Sequence, residues 1–337
     1  MTKTAELVLA VDLGGTKTAL SLVNRSAEIL HSSQEATCQS GPQDGIAQII
    51  RMARALIRES SLDEKAIQCV GVGIPAVLEQ DTDFVIWAPN LAGWRNVGLR
   101  PALQAELGLP VFIEYDGHTA VLGEWWVGSG RGYHSLVDVI IGTGIGGGMI
   151  LEGKLIRGRD RLAGAAGWFA LTTEAENNAG RSQDLGFWEA LAAGPGLASH
   201  TSTLAKDHPE SSLYAPARSN SLTARDIFEA ARRGDTLALQ VVEQWAGWLG
   251  LGIANITSLV NPEIIILGGG LGSNCEFLLP RIRQTVERFA QPISAHGIEL
   301  VTSQLGSRAG LLGAAYGAIL RYEQGSEHSG GSGPESE

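Results

Sequence analysis

The sequence predicts an α/β protein built from two related halves. Apolar runs that read as strands alternate with runs of helical spacing, and the scheme of strand, glycine corner and strand occurs twice. In addition, the 44 glycines among 337 residues fall in short clusters between apolar runs, without a collagen-like period, which marks many tight turns.

The elements follow in order. Val8, Leu9, Val11 and Leu13 form a first strand and "TALSLV" its partner, so "DLGGTK" is a hairpin tip. Gly14 and Gly15 admit a close approach to the backbone N–H groups and Thr16 adds a hydroxyl, which suits an anion such as phosphate; a plain tight turn has the same composition. "DGIAQIIRMARALIRES" has helical periodicity, "IQCVGVGIPAVL" is a buried strand, and "VFIEYD" is a strand running into a helix over "DGHTAVLGEWW" with Asp116 near its start. "HSLVDVIIGTGIGGGMILEGKLI" repeats the opening scheme. Farther on come a long apolar helix stopped at Val-Asn-Pro, a strand at 263 to 267, a third glycine corner at 268 to 272, and helices over "NCEFLLPRIRQTVERFA" and "SRAGLLGAAYGAILRY". The polar, Gly/Ser-rich segment 323 to 337 is expected to be disordered.

Composition excludes several classes of function. A net charge of −11 argues against nucleic-acid and membrane-surface partners, both of which need a basic face. Cys38, Cys69 and Cys275 are far apart and odd in number, as suits buried apolar residues rather than a disulfide framework or a cysteine-rich zinc site. No signal peptide and no apolar run of roughly 18 residues is present, so a cytoplasmic protein is expected. "GTGIGG" at 142 to 147 satisfies Gly-x-Gly-x-x-Gly literally. A dinucleotide site needs a helix directly afterwards, whereas here a strand follows, and no Walker A loop occurs.

With Asp-Leu-Gly-Gly-Thr, Gly-Thr-Gly-Ile-Gly-Gly and Leu-Gly-Gly-Gly-Leu-Gly in that order, together with "APNLAGW", "EYDGHTAVLGE" and "EALAAGPGLA", the chain resembles the ROK family (repressors, open reading frames, sugar kinases) of the actin-like ATPase superfamily over residues 7 to 322. The resemblance implies a two-lobed actin-like ATPase (ribonuclease H-like) fold with a cleft between the lobes. The lobes are expected over 1–117 and 118–307, with a terminal helix at about 308–322 packing back on the first. It implies ATP and Mg2+ as cofactors, a carbohydrate as partner, and a dimer. Asp12, Gly14, Gly15, Thr16, Lys17, Thr143 and Gly144 would hold the phosphates, with Asp12 reaching Mg2+ through water, and Gly268, Gly269 and Gly270 would flank the adenosine. Asn90, Tyr115, Trp168 and Glu189 would contact the substrate, and Asp116 would be the general base.

Phosphoryl transfer rests on positioning and charge neutralisation, with one carboxylate to take the alcohol proton, and Asp116 suits that role. A carboxylate at a strand-to-helix junction equally suits a helix cap. The neighbouring His118 is expected to point elsewhere.

The chain also departs from the family pattern. "GWFAL" at 167 to 171 stands where Gly-Glu-x-Gly-His is usual, so Trp168 replaces a sugar-binding Glu and Leu171 a His that binds sugar and zinc. The zinc-loop cysteines would fall near Gly180, Ser182 and Phe187, so no zinc is expected. Tyr115 replaces an Asn beside Asp116. A pocket altered in this way should prefer something other than an ordinary aldohexose. Trp87, Trp94, Trp168 and Trp188 lie near the expected sugar side, either stacking on a sugar or packing in the core. Two functions follow: an ATP-dependent kinase for a sugar or polyol hydroxyl, or a catalytically weak or silent sugar-sensing relative. Because the sequence opens directly into a strand, a DNA-binding version is not expected.

Overall fold

β1 (Leu7–Leu13) and β2 (Lys17–Asn24) pair antiparallel around the first glycine corner, with Asp12 opposite Ala19 and Leu13 opposite Thr18. The computed structural model describes residues 6–80, 82–171 and 186–329, with side chains described as far as residue 324. After β3 (Ile29–Ala36) comes α1 (Pro42–Ser60), whose buried Ile49, Met52, Ala53 and Leu56 recur at helical spacing and whose end is set by Ser61 at φ 55°. β4 (Ile67–Ile74) lies parallel to β1. A small three-stranded sheet follows, made of β5 (Val77–Leu78), β6 (Val85–Trp87) and β7 (Arg95–Val97). Then come α2 (Leu99–Leu107), β8 (Val111–Tyr115) and α3 (Asp116–Val127). The sheet order is β3-β2-β1-β4-β8.

The second sheet repeats this plan. β9 (Leu136–Ile141) and β10 (Ile145–Leu151) form an antiparallel hairpin around the second glycine corner, and β11 (Lys154–Leu155) extends it. Helices α4 (Phe187–Ala192), α5 (Gly194–Leu204), α6 (Tyr214–Arg218), α7 (Ala224–Arg232) and α8 (Thr236–Val260) precede β12 (Ile264–Gly268), which lies parallel to β9. A one-turn helix α9 (Gly269–Gly272), then α10 (Leu279–Phe289), α11 (Pro292–Gly297), β13 (Glu299–Thr302) and α12 (Ala309–Ser329) complete the chain. The order β11-β10-β9-β12-β13 matches the first sheet strand for strand, so the duplication legible in the two glycine corners extends through both sheets.

The chain divides into two units, one of residues 1–131, 155–163 and 308–337, the other of 132–154 and 164–307. Each has its own apolar core, centred on Leu9, Val11, Val70 and Val72 in the first and on Val139, Trp245, Leu249 and Ile265 in the second. The division differs from the expected boundary after Gly117. α3 stays with the first unit because α12 packs along it through glycines: a Cβ on Gly313 would overlap the Thr119 carbonyl oxygen, and one on Gly123 the Ala309 carbonyl. The segment 155–163 also joins this unit, through ion pairs described below. α12 continues to Ser329, into the stretch expected to be disordered; residues 330–337 lie outside the described ones. The third corner, expected as a loop, is instead the end of β12 and the whole of α9.

Candidate functional site

In the first unit, the β1–β2 corner is closed by Gly14 N–H donating to the Lys17 carbonyl at 2.9 Å, while the Thr37 hydroxyl and the Gln39 amide donate to the Gly14 and Gly15 carbonyls at 2.7 and 2.6 Å. Among the described residues the Gly15 and Thr16 N–H groups have no hydrogen-bond partner, which leaves two adjacent donors for an anion. Gly15 is required here by close approach, since a Cβ would stand 2.9 Å from the Asn90 carbonyl oxygen. The corner thus abuts the exposed Asn90.

Asp12 and Asp116 belong to the same unit. Burial raises the Asp12 carboxyl above its usual range, and the nearby Lys17 ammonium partly offsets this. Asp116 is the first residue of α3; Tyr115 occupies the cap position, so Asp116 is not the helix cap. Its Oδ1 accepts from Gly117 N–H at 2.8 Å. Burial, reinforced by the charge of Asp12, pushes Asp116 up to about 6, which brings a carboxylate close to neutral pH. A Cβ on Gly310 of α12 would lie only 3.3 Å from the Asp12 carboxylate, so α12 passes close beside it.

Behind Asp116 lies a polar network that sequence reasoning missed. Glu114 accepts from Arg157 Nε at 2.8 Å and Arg161 Nη2 at 3.1 Å, and is paired with His118 Nδ1 at 3.1 Å. The hydrogen bond with His118 and the Arg157 and Arg161 guanidinium groups hold its carboxyl well below the usual range despite burial. His118 is fully buried, and its Nε2 faces the Ala163 carbonyl at 2.9 Å. Both ring nitrogens are thereby engaged, one by the Glu114 carboxylate and one by the Ala163 carbonyl. Tyr115 packs edge-on against this ring, with centroids 5.2 Å apart. Glu114 and His118 are four residues apart in sequence, as are Arg157 and Arg161, but nothing in either spacing shows that the two pairs meet.

In the second unit, the β9–β10 corner is built alike. Gly142 N–H donates to the Gly144 carbonyl at 2.9 Å, Gly194 N–H donates to the Gly142 carbonyl at 2.8 Å, and among the described residues the Thr143 and Gly144 N–H groups have no partner. Glu189 of α4 accepts from Ile145 N–H at 2.6 Å and lies so close that a Cβ on Gly144 would overlap its carboxylate. Burial raises the Glu189 carboxyl. Gly167 touches Glu189 as well, which brings the exposed Trp168 into the same neighbourhood. Gly268 lies beside the buried Asp138, and Gly269 and Gly270 open α9.

The tryptophans separate into two kinds. Trp94 is buried against Gly45, and Trp188 is buried, stacks on Phe169 and donates Nε1–H to the Trp248 carbonyl at 3.1 Å, so both are core residues. Trp87 is half-buried under the Arg95 guanidinium. Trp168 is 57% exposed, unusual for so large an apolar side chain. Of the positions where zinc-loop cysteines would fall, Phe187 is a core residue, and Gly180 and Ser182 lie outside the described residues.

The model of the ROK family matches residues 8–320. The chain belongs to the ROK family. This ROK chain is 34% identical over 329 residues to a glucokinase of Halalkalibacterium halodurans, covering 96% of this chain and 97% of that one. It is 33% identical over 310 residues to a glucokinase of Thermotoga maritima, covering 91% and 96%. It also resembles the xylose repressor of Caldicellulosiruptor bescii, at 27% identity over 91% of this chain and 76% of the repressor. Among solved structures, a ROK family glucokinase from Streptomyces griseus in complex with glucose and AMPPNP superposes with a TM-score of 0.78 at 30% identity, covering 93% of this chain and 99% of that one. The fold of this ROK protein is that of the actin-like ATPases, as its sequence leads one to expect. Among the described residues no helix is long and apolar enough to cross a membrane.

Proposed function

We propose that this ROK protein is an ATP-dependent kinase for a hydroxyl of a sugar or sugar-like molecule, with Asp116 as general base. The observation that carries this reading is the Asp12–Asp116 pair at the ends of β1 and β8, where one carboxylate has been pushed to about 6 by burial and by the other's charge. A base with such a value accepts a proton near neutral pH and still releases it. The glucokinase relatives support ATP as donor and a sugar as acceptor.

In the proposed step the substrate hydroxyl gives its proton to an Asp116 Oδ as its oxygen attacks the γ-phosphorus, and the bond to the ADP oxygen breaks. The free N–H groups of Gly15 and Thr16 would receive phosphate oxygens in the first unit and those of Thr143 and Gly144 in the second, with Gly14 and Lys17 completing the first corner. Gly268, Gly269 and Gly270 would flank the nucleoside. The residues present suit Mg2+ near Asp12, because the carboxylate is desolvated at an energetic cost that a cation offsets. When bound, that ion supplies neutralisation of the phosphate charge. Asn90, Tyr115 and Glu189 would position the sugar. In this reading the protein acts in the cytoplasm, where ATP is available, and family likeness supports a dimer.

Trp168 in place of the usual Glu, and Leu171 in place of His, remove hydrogen-bond partners and add apolar surface, so the preferred substrate should carry an apolar or deoxy face. Trp168→Ala is expected to raise KM several-fold while changing stability by no more than about 0.5 kcal/mol, because the indole is largely exposed. Steady-state kinetics and thermal melts check this.

The same two replacements favour the second reading, a sugar-binding regulator without turnover. ADP release measured across a panel of sugars, deoxysugars and polyols decides between the readings. Turnover on one of them, abolished by Asp116→Ala, supports the kinase; binding without turnover on any supports the regulator.

A further inference from the structure

The first unit gathers more guanidinium groups around two buried carboxylates than those carboxylates neutralise, one of them buried and the others partly open to solvent. Asp83 is fully buried and pairs with Arg161 at 2.5 Å, Arg321 at 3.0 Å and Arg100 at 3.5 Å, while Glu114 pairs with Arg161 at 3.1 Å and Arg157 at 2.8 Å. Four guanidinium groups therefore share two carboxylates, and His118 adds no negative charge. In a chain of net charge −11 such a local surplus of positive charge is unexpected.

The surplus opens onto one cavity. A space of about 240 Å3 is lined by Arg157, Arg161 and Arg321 together with Gln80, Gly158 and Gln324, and no described acidic residue lines it. Arg157 uses only Nε toward Glu114, so its terminal nitrogens have no partner among the described residues. Arg161 is 4% exposed, and its Nε is a buried donor with no partner. Its backbone sits at φ 56°, in the left-handed region that non-glycine residues rarely adopt, so the loop is held at some cost in the conformation that turns this guanidinium inward. Neither Asp12 nor Asp116 lines this cavity.

We propose that this cavity is a binding site for a phosphoryl dianion, carried by inorganic phosphate or by a small phosphomonoester. A planar guanidinium offers paired N–H donors matched to phosphate oxygens, and a dianion balances the two positive charges that the carboxylates leave over. The proposal is independent of the kinase reading, since it uses none of the residues assigned to that reaction.

Isothermal titration calorimetry on the full chain at constant ionic strength tests it, with sodium phosphate and glucose 6-phosphate as probes and glucose as control. Saturable binding of at least one phosphoryl probe is expected, weakened about tenfold or more by Gln80→Glu, which places a carboxylate at an exposed rim position, and by Arg157→Gln. A tighter glucose 6-phosphate isotherm identifies an ester as the occupant, and a tighter phosphate isotherm identifies the free ion. Absence of saturable binding to the native chain overturns the proposal. So does unchanged affinity in Gln80→Glu, which would place the bound phosphate at the glycine corners instead. If Arg157→Gln does not fold, Gln80→Glu alone decides.

Discussion

Asp116→Asn is expected to lower kcat by about 100- to 10,000-fold while leaving nucleotide affinity nearly unchanged, the range typical for loss of a general base. The same substitution is expected to make the protein more stable at neutral pH. A carboxyl whose folded value is raised to about 6 from an ordinary 3.8 is held in its charged form against its surroundings, so it costs stability at neutral pH. Between pH 3.8 and 6 the folded chain binds the proton that the unfolded chain has released, so stability falls as pH rises through that window. The amide carries no such penalty and also removes repulsion from Asp12. Its melting-temperature gain should therefore be present at pH 7.5 and vanish near pH 3.5, where the carboxyl is protonated in both states. For the native enzyme, the rate should fall as pH drops below about 6, and this limb should be missing from whatever activity Asp116→Asn retains. A variant with the native rate, or with no pH-dependent stability gain, would remove Asp116 from the role assigned to it.

Gly313→Val is expected to destabilise the protein by about 3 kcal/mol or more, enough to lose soluble expression at 37 °C. Any Cβ at this position collides with the Thr119 carbonyl oxygen of α3, a backbone atom that cannot rotate away. α12 and α3 would have to separate, and α12 also covers β1 and β4. Gly317→Ala, four residues along the same helix, is the control. Its added methyl would meet only a Leu122 methyl at 3.2 Å, and replacing helical Gly by Ala favours the helix by roughly 0.5–1 kcal/mol. Chemical denaturation of the two variants checks the contrast.

Much of this fold was legible in the sequence because its signals are local. The apolar runs of β1, β4, β9 and β12 and the glycine corners between strands are properties of short windows, and the hairpins appear where they lead one to expect. Asn261 at φ 51° ends α8 where Val-Asn-Pro reads as a stop. The terminal helix overran its expected end because Gly and Ser lower helical preference by less than one kcal/mol or so per residue, which a helix already anchored on α3 tolerates. What could not be read was anything that depends on distant residues meeting. Asp83, Glu114, Arg161 and Arg321 are unremarkable in their own windows, and their network exists only through pairings across as many as 238 positions. Trp94 and Trp188 carried no local sign of being core rather than contact residues, because indole rings serve equally in both settings.

The bond from Ile145 N–H to Glu189 bears on which positions tolerate replacement. A carboxylate fastened to the main chain of a glycine corner is a poor place to experiment, since any replacement disturbs the corner as well. Trp168, facing solvent and tied to nothing comparable, is free to vary. Substitution is therefore expected to be tolerated at position 168 far more readily than at position 189.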